Sequence, residues 1–461
     1  MTEDNREAFQ AELNAGILDL RGRPGRYYVT IPPPPRQVAT LTMPDGSSIL
    51  GDGPQLTTIV FRGDPRGRDW TGIRVGNRWK ISGVSLVVEE PGGTWDEQSH
   101  VIEIVGPCTG GELSYSAIDH PKVPGSKRGD CMRFRGYPPL VDGSEDRRIW
   151  DQHIHHVTFL RAARSSVSIH SGLHGRILPP DQDGEIHSST RFHHTVHMDT
   201  ADQDLDEEGS GDVGGISADD VVEWDHNVHS AGPQAESAIA ISLYPGSTWL
   251  HHNMSERGVD LLGGNHRMNH NLIKQTIPYS GPVVWRRKEG TTTVHDDVWI
   301  REPAAGPGHV FVAEQKLTAP TDVRISNTQI VQHTPATPIV VRGVVGFVMS
   351  DVVVMDDAPL NVRDGIRIEG TNGATGIRST GVVIAACSFD GRFRAAISMS
   401  GWYTGGSGTL SVSDCRSDGA IGGLRCEDVE RTATSGGILG PILWRDNYMP
   451  VPNIPPGLLR P

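Results

Sequence analysis

Residues 247–270 read STWLHHNMSERGVDLLGGNHRMNH and hold, 18 residues apart, two copies of one pattern: an apolar residue, a polar residue and a histidine, as Leu250-His251-His252 and Met268-Asn269-His270. The pattern stands upstream as Ile154-His155-His156, Phe192-His193-His194 and Trp224-Asp225-His226, so that the five histidines follow at intervals of 38, 32, 26 and 18 residues. This is too regular for chance and too loose for a helical repeat, and it predicts a coiled strand. With the histidine replaced, the template also fits Ile81-Ser82-Gly83, Leu113-Ser114-Tyr115, Ile325-Ser326-Asn327, Met349-Ser350-Asp351, Ile384-Ala385-Ala386, Val412-Ser413-Asp414 and Trp444-Arg445-Asp446. The repeat spans most of the chain.

Strand alternation assigns the positions. The first residue faces inward, the second outward, and the third is inward or sits in a turn. At 461 residues with only 36% hydrophobic content, 55 Gly and 32 Pro, the chain suits an elongated solenoid with a thin core and long outer loops. The net charge of -14 disfavours duplex nucleic acid as a partner. No run reaches the roughly 18 apolar residues of a membrane span. The start, MTEDNREAFQAEL, is acidic and polar, the wrong chemistry for a secretory signal. Cys108, Cys131, Cys387, Cys415 and Cys426 show no CxxC spacing, so free buried thiols are expected, with Cys387 and Cys415 stacked in successive repeats.

Ala8, Phe9 and Leu13 fit a short amphipathic helix covering one end of the solenoid. Pro44-Asp45-Gly46-Ser47, Ile49-Leu50-Gly51-Asp52-Gly53 and Thr57-Thr58-Ile59-Val60 then follow in order. This entry resembles that of right-handed parallel β-helix proteins of the pectin-lyase-like group, which includes many phage tail spikes. The expected fold is therefore all-β, a right-handed parallel β-helix of about 11–13 rungs with a short N-terminal cap. The expected organisation is a cap and entry strands over 1–60, the β-helix over 61–449 with long loops at 116–225, and a Pro-rich tail over 450–461. One irregular rung is expected around Val298-Trp299-Ile300.

The third-position column His156, His194, His226, His252 and His270 reads as a ladder holding rungs in register. The second-position column carries more functional promise. It is Ser82, Ser114, Ser326, Ser350, Ala385 and Ser413 elsewhere, but becomes His155, His193, Asp225, His251 and Asn269 where the loops are longest. These groups can transfer protons near neutral pH or hold a divalent metal. Asp202, Asp204, Asp206 and Glu208 alternate as calcium ligands might, within a run of nine acids and no base over residues 199–220. Asp181, Asp183 and Glu185 offer a carboxylate pair for glycoside hydrolysis. Tyr244, Tyr279, Trp285 and Trp402 can stack on sugar rings.

STWLHHNMSERGVDLLGGNHRMNHNLI also resembles two successive rungs of pectate lyases, and WRRKEG followed by His295 resembles their basic stretch ahead of a histidine. In that family an Arg abstracts the proton beside a uronate carboxyl, assisted by calcium. The resemblance therefore points to Arg286, Arg287 and Lys288, although the Pro between the family's arginines is missing here. Together these readings favour a β-helix that recognises and cleaves a polysaccharide or cell-surface glycan, as lyase or glycoside hydrolase, in the manner of a phage tail-spike depolymerase. The competing readings are a non-catalytic structural or adhesive tail protein and a bacterial pectate-lyase-like enzyme. The expected setting is a virion tail or the extracellular space, as a homotrimer or beside other tail proteins. The sequence fixes no cofactor, and Ca2+ or another divalent metal is the candidate.

Overall fold

An alternating strand buries one face, and a corner must follow before the next strand can return above the first. The corner is visible in the backbone. In the computed structural model the third position of the triplet has positive φ at Tyr115, His156, His194, His226, His252, His270, Asn327, Asp351, Ala386, Asp414 and Asp446, with values of 45–56°. Asn, Asp and His enter this left-handed region more readily than branched residues do. The third position is a corner, and its residue types follow from the corner's geometry.

The structure describes residues 3–32, 39–63, 70–89, 99–121, 129–136, 147–207, 221–230, 238–241, 247–261, 265–277, 283–286, 290–315, 321–357, 363–369, 379–400, 410–418, 420, 422–427, 442–449 and 459–460. The chain divides into two compact units, residues 1–249 and 250–461. Among the described residues no helix is long and apolar enough to cross a membrane.

In the first unit the helix Arg6–Asn14 buries Phe9 and Leu13. Gln10 uses its side-chain amide as a strand would use a peptide group, donating to Thr42 O at 2.8 Å and accepting from Thr42 N at 2.9 Å. The helix thus covers the free edge of the strand Ala39–Met43, as the cap reading requires. Above it the strands pair in parallel, each with the equivalent strand one coil later. One series runs through Ala39–Met43, Trp70–Val75, Ser99–Val105, Asp130–Arg135, Val167–Ser171, Leu205–Glu207 and Ile239–Ile241. A second carries the triplets, and its register places Leu18, Ile49, Ile81, Leu113, Ile154, Phe192 and Trp224 in one column, while a third follows each corner. All seven are buried. Phe192 and Trp224 stack with ring centroids 4.0 Å apart.

The second unit repeats this scheme. Met268, Val294, Ile325, Met349, Ile384, Val412 and Trp444 share a column. Val294-His295-Asp296 is the triplet of the rung expected around Val298-Trp299-Ile300, with Asp296 at φ 57°. The more apolar Val298–Arg301 is the strand after its corner. Among the described residues the named strands pair in parallel from coil to coil, and the fold is a right-handed parallel β-helix. The residue after the corner turns inward again and supports a true hydrogen-bonded ladder. Asn253 Nδ2 donates to Asn271 Oδ1 at 3.0 Å, and Asn271 Nδ2 donates to Leu250 O at 2.8 Å. Asn271 N donates to Asp297 Oδ1 at 2.8 Å, and Trp299 Nε1 to Asp297 Oδ2 at 3.1 Å. Burial pushes the Asp297 carboxyl up to about 7, against the lowering effect of these donors.

Cys387 and Cys415 occupy this same inward position in successive rungs as buried free thiols, Cys387 Sγ donating to Ala385 O and Cys415 Sγ to Ser413 O, each at 3.2 Å. Cys108 and Cys131 are also buried and free, and the side chain of Cys426 lies outside the described residues. The Pro-rich end departs from a simple tail. Leu459–Arg460 pairs in parallel with the strand Ile442–Arg445, because two residues beyond the prolines keep the N–H groups that pairing needs.

Candidate functional site

The outward face of the first unit is built by the same alternation. Register places Ser82, Ser114, His155, His193 and Asp225 in one outward column. Two residues earlier on each strand lies a second outward column: Lys80, Glu112, His153, Arg191 and Glu223. The two columns together form one polar face, in which Ser114, Glu223 and Asp225 are buried.

Its centre is a group of three imidazoles. His153 Nε2 lies 2.7 Å from His193 Nε2. The ring centroids of His153 and His155 are 4.5 Å apart, and His155 and His193 stack at 5.2 Å. All three are held neutral at ordinary pH. Burial and the neighbouring Arg191 charge push His193 down to about 3. Burial and His153 push His155 down to about 4, and burial lowers His153 as well.

Charged pairs close the row at both ends. On one side Lys80 Nζ reaches both oxygens of Glu112 at 2.9 Å, Ser114 Oγ donates to Glu112 at 2.8 Å, and His155 Nε2 lies 3.7 Å from it. Burial, the largest single influence, raises the Glu112 pKa, but the hydrogen bonds from Lys80 and Ser114 and the Lys80 charge together outweigh it and lower the carboxyl. On the other side Arg191 donates to Asp225 through Nε at 2.7 Å and Nη2 at 2.6 Å, and its Nε lies 3.4 Å from Glu223. Asp225 and Glu223 are fully buried. Part of that cover is the excursion 175–189, which places His187 Nδ1 at 2.8 Å and Ser188 N at 2.6 Å from Glu223.

The corner histidines fix the outward side chains from the other side. His156 stacks on His194 at 5.0 Å and His194 on His226 at 4.9 Å, each pair within 1° of parallel. Each corner ring also contacts its preceding residue through Nδ1: His155 at 3.0 Å, His193 at 2.8 Å and Asp225 at 2.8 Å. In the second unit His252 stacks on His270 at 4.8 Å. There His251 Nδ1 lies 3.1 Å from His252 Nδ1, and Asn269 Nδ2 lies 3.0 Å from His270 Nδ1. Next on that face, His295 Nδ1 contacts Ser326 Oγ at 3.1 Å.

The structure therefore brings His155, His193 and Asp225 together, while His251 and Asn269 belong to the second unit. Asp225 was expected to face solvent; it points outward but is buried under Arg191. The run Asp202, Asp204 and Asp206 does not converge: Asp204 lies against His229 at 3.1 Å, and Asp206 lies 3.8 Å from Arg164. Asp181 accepts from the N–H groups of Asp183 and Glu185, both at 2.9 Å, which hold its carboxyl low and ionised. Glu208, Tyr244, Tyr279, Arg287, Lys288 and Trp402 lie outside the described residues, as do the side chains of Trp285 and Arg286 on the strand Val283–Arg286. His153, Arg191, Glu223 and Glu112 were not singled out from sequence. The period of two would have found them, because the residue before each inward apolar one shares the outward face.

No family model matches the chain, and no curated protein matches it. Several solved structures are similar. The A-module of Azotobacter vinelandii mannuronan C-5 epimerase AlgE4 is 14% identical, with 92% of this chain and 94% of that chain covered at a TM-score of 0.42. The A-module of AlgE6 from the same organism is 12% identical over 99% and 96% of the two chains, at a TM-score of 0.37. A tailspike protein mutant of E. coli bacteriophage HK620, in complex with a pentasaccharide, is 8% identical over 92% of this chain and 75% of that one, at a TM-score of 0.40. What these proteins have in common with the present chain is the parallel β-helix.

Proposed function

We propose that the protein recognises a polysaccharide along the outward face of its coils and moves a proton on a bound sugar through the hydrogen-bonded pair His153–His193, against which His155 stacks. The observation that supports this is the row of three contacting imidazoles, held neutral and flanked by Lys80–Glu112 and Arg191–Asp225. A neutral imidazole has the lone pair that proton abstraction needs. An anionic sugar bound beside it would raise its pKa and make it a stronger base. The surface is a ladder of donors and acceptors at strand spacing, which suits a polymer of repeating hydroxyls. Structures of similar architecture include mannuronan epimerases and tailspikes in complex with penta- and hexasaccharides.

Elimination or another proton abstraction fits this face better than carboxylate-catalysed hydrolysis. Hydrolysis needs one carboxyl kept protonated. Glu112 and Asp225 are each bound to a cation, and Glu223 receives Arg191, His187 and a backbone N–H. The same internal pairing favours, as a second reading, a non-catalytic adhesive role in which the face only binds. In either case a virion tail or extracellular location, in a trimer or beside other tail proteins, is the setting in which such a face would meet cell-surface glycans.

The test is incubation of the full chain with uronate-containing and neutral surface polysaccharides, followed by product mass and ultraviolet absorbance. Shortened products carrying an unsaturated sugar, absent with His193→Gln, are expected. Saturated fragments would replace the elimination chemistry by hydrolysis. Glycans that bind but are never altered would leave only the adhesive reading.

A further inference from the structure

We propose that His197, Asp204 and His229 form a buried site for a divalent transition metal of the zinc class, which pins two successive coils of the first unit. His197 on the strand Val196–Met198 lies in register with His229 on the strand Val228–His229. Their rings stack at 4.7 Å with planes 16° apart, and Asp204, just ahead of the strand Leu205–Glu207, brings its Oδ2 to 3.1 Å from His229 Nδ1. One ligand atom from each residue lies within 4.8 Å of the other two, and all three side chains are fully buried. Metal–ligand bonds of roughly 2.0–2.2 Å give ligand separations of about 3.3 Å in a tetrahedron, so binding requires the two stacked rings to tilt toward one point between them and Asp204.

The hydrogen bonds around His197 fix which nitrogen carries its proton. Thr195 N donates to Asn227 Oδ1 at 2.9 Å, which identifies that amide atom as the oxygen. Thr195 Oγ1 lies 2.7 Å from the same oxygen and must donate to it. Its remaining capacity is as an acceptor, and His197 Nε2, at 2.8 Å, is therefore the N–H that donates to it. The unprotonated nitrogen of His197 is Nδ1. This is how a metal-bound histidine is normally held, with its second nitrogen donating to a fixed acceptor. At His229 the proton now shared with Asp204 is the one that a metal would replace.

The donor set selects the ion. Two neutral imidazoles and one carboxylate favour Zn2+, Co2+, Ni2+ or Cu2+ over Ca2+, which takes six or more oxygens. Full burial of the three ligands makes the role structural, distinct from the outward imidazole row. Among the acidic residues 202, 204 and 206, only Asp204 contributes.

The test uses the full chain, stripped with a chelator and titrated with Zn2+ and with Co2+ as a visible probe. One equivalent per chain is expected by elemental analysis, with Co2+ visible absorption of a low-coordinate N/O site and a raised unfolding midpoint. Asp204→Asn should abolish uptake. Thr195→Val should weaken it about 10–100-fold, and Thr195→Ser should restore it. If the buried variants fail to fold, the double variant His153→Gln/His193→Gln on the outward face decides: retained uptake supports the buried site, and lost uptake assigns the metal to the surface row and overturns the proposal. Failure of the folded wild type to hold one equivalent also overturns it.

Discussion

His153 Nε2 and His193 Nε2 stand 2.7 Å apart, so one imidazole donates its N–H to the lone pair of the other. Two protonated rings could not make that contact. With His193 pushed down to about 3 by burial and by Arg191, the pair stays neutral well below the ordinary histidine range. Folding thus favours the neutral form, which is fully present above the unfolded value of about 6.5. The resulting stability is lost as pH falls toward the folded value. In imidazole NMR of the full chain His193 and His155 should remain neutral at pH 5. Arg191→Gln should raise the His193 midpoint, since it removes the nearby cation and leaves Asp225 and Glu223 uncompensated. Wild-type midpoints near the free-histidine value would refute this.

Asp225 separates the needs of stability from those of chemistry. Its carboxylate is buried and held by two Arg191 hydrogen bonds and by His226. Asp225→Ala leaves Arg191 without that partner and should cost about 3 kcal/mol, read by denaturant unfolding. His193→Gln removes two hydrogen bonds, to His153 and to His194, at a half-buried ring and should cost about 1–2 kcal/mol. Loss of any glycan-altering activity in the second variant can then be assigned to chemistry. An Asp225→Ala protein as stable as wild type would show that the Arg191 pair contributes nothing.

The inward column and the corner were legible because each restricts residue type strongly. An apolar residue is needed inside, and the left-handed corner selects Gly, Asn, Asp and His. The rung at Val294-His295-Asp296 fits the same template but was masked by the more apolar Val298-Trp299-Ile300 beside it. The burial of Asp225 and Glu223 was not legible, since it depends on Arg191 and on the excursion 175–189 folding back from earlier in the chain. Asp204 and Asp206 look equivalent by alternation, yet they reach His229 and Arg164 respectively. Corners reset the inside–outside alternation, and sequence alone does not show where.

The corner column makes a direct backbone prediction. His194 sits at φ 53° with its ring stacked on His156 and His226. His194→Asn keeps a residue suited to that conformation and loses only the stacking. His194→Val places a branched side chain there and should cost about 1–2 kcal/mol more. Comparison of the two unfolding midpoints checks this, and equal midpoints would mean that the corner conformation relaxes freely.

Asp297 supplies the prediction with the clearest sign. It ends the asparagine ladder of the second unit, and burial raises its carboxyl to about 7. Its unfolded value is near 3.9, so the native state binds the proton more tightly between these two values. The stability from the protonated form is fully present below the unfolded value and disappears as pH rises through about 7. Asp297→Asn cannot ionise, and its loss of an acceptor for Trp299 Nε1 is the same at every pH. The stability of wild type relative to Asp297→Asn should therefore fall between pH 5 and pH 8, by an amount on the order of 1–3 kcal/mol. A difference that stays flat across that window would mean that the donors from Asn271 and Trp299 keep the carboxylate ionised throughout.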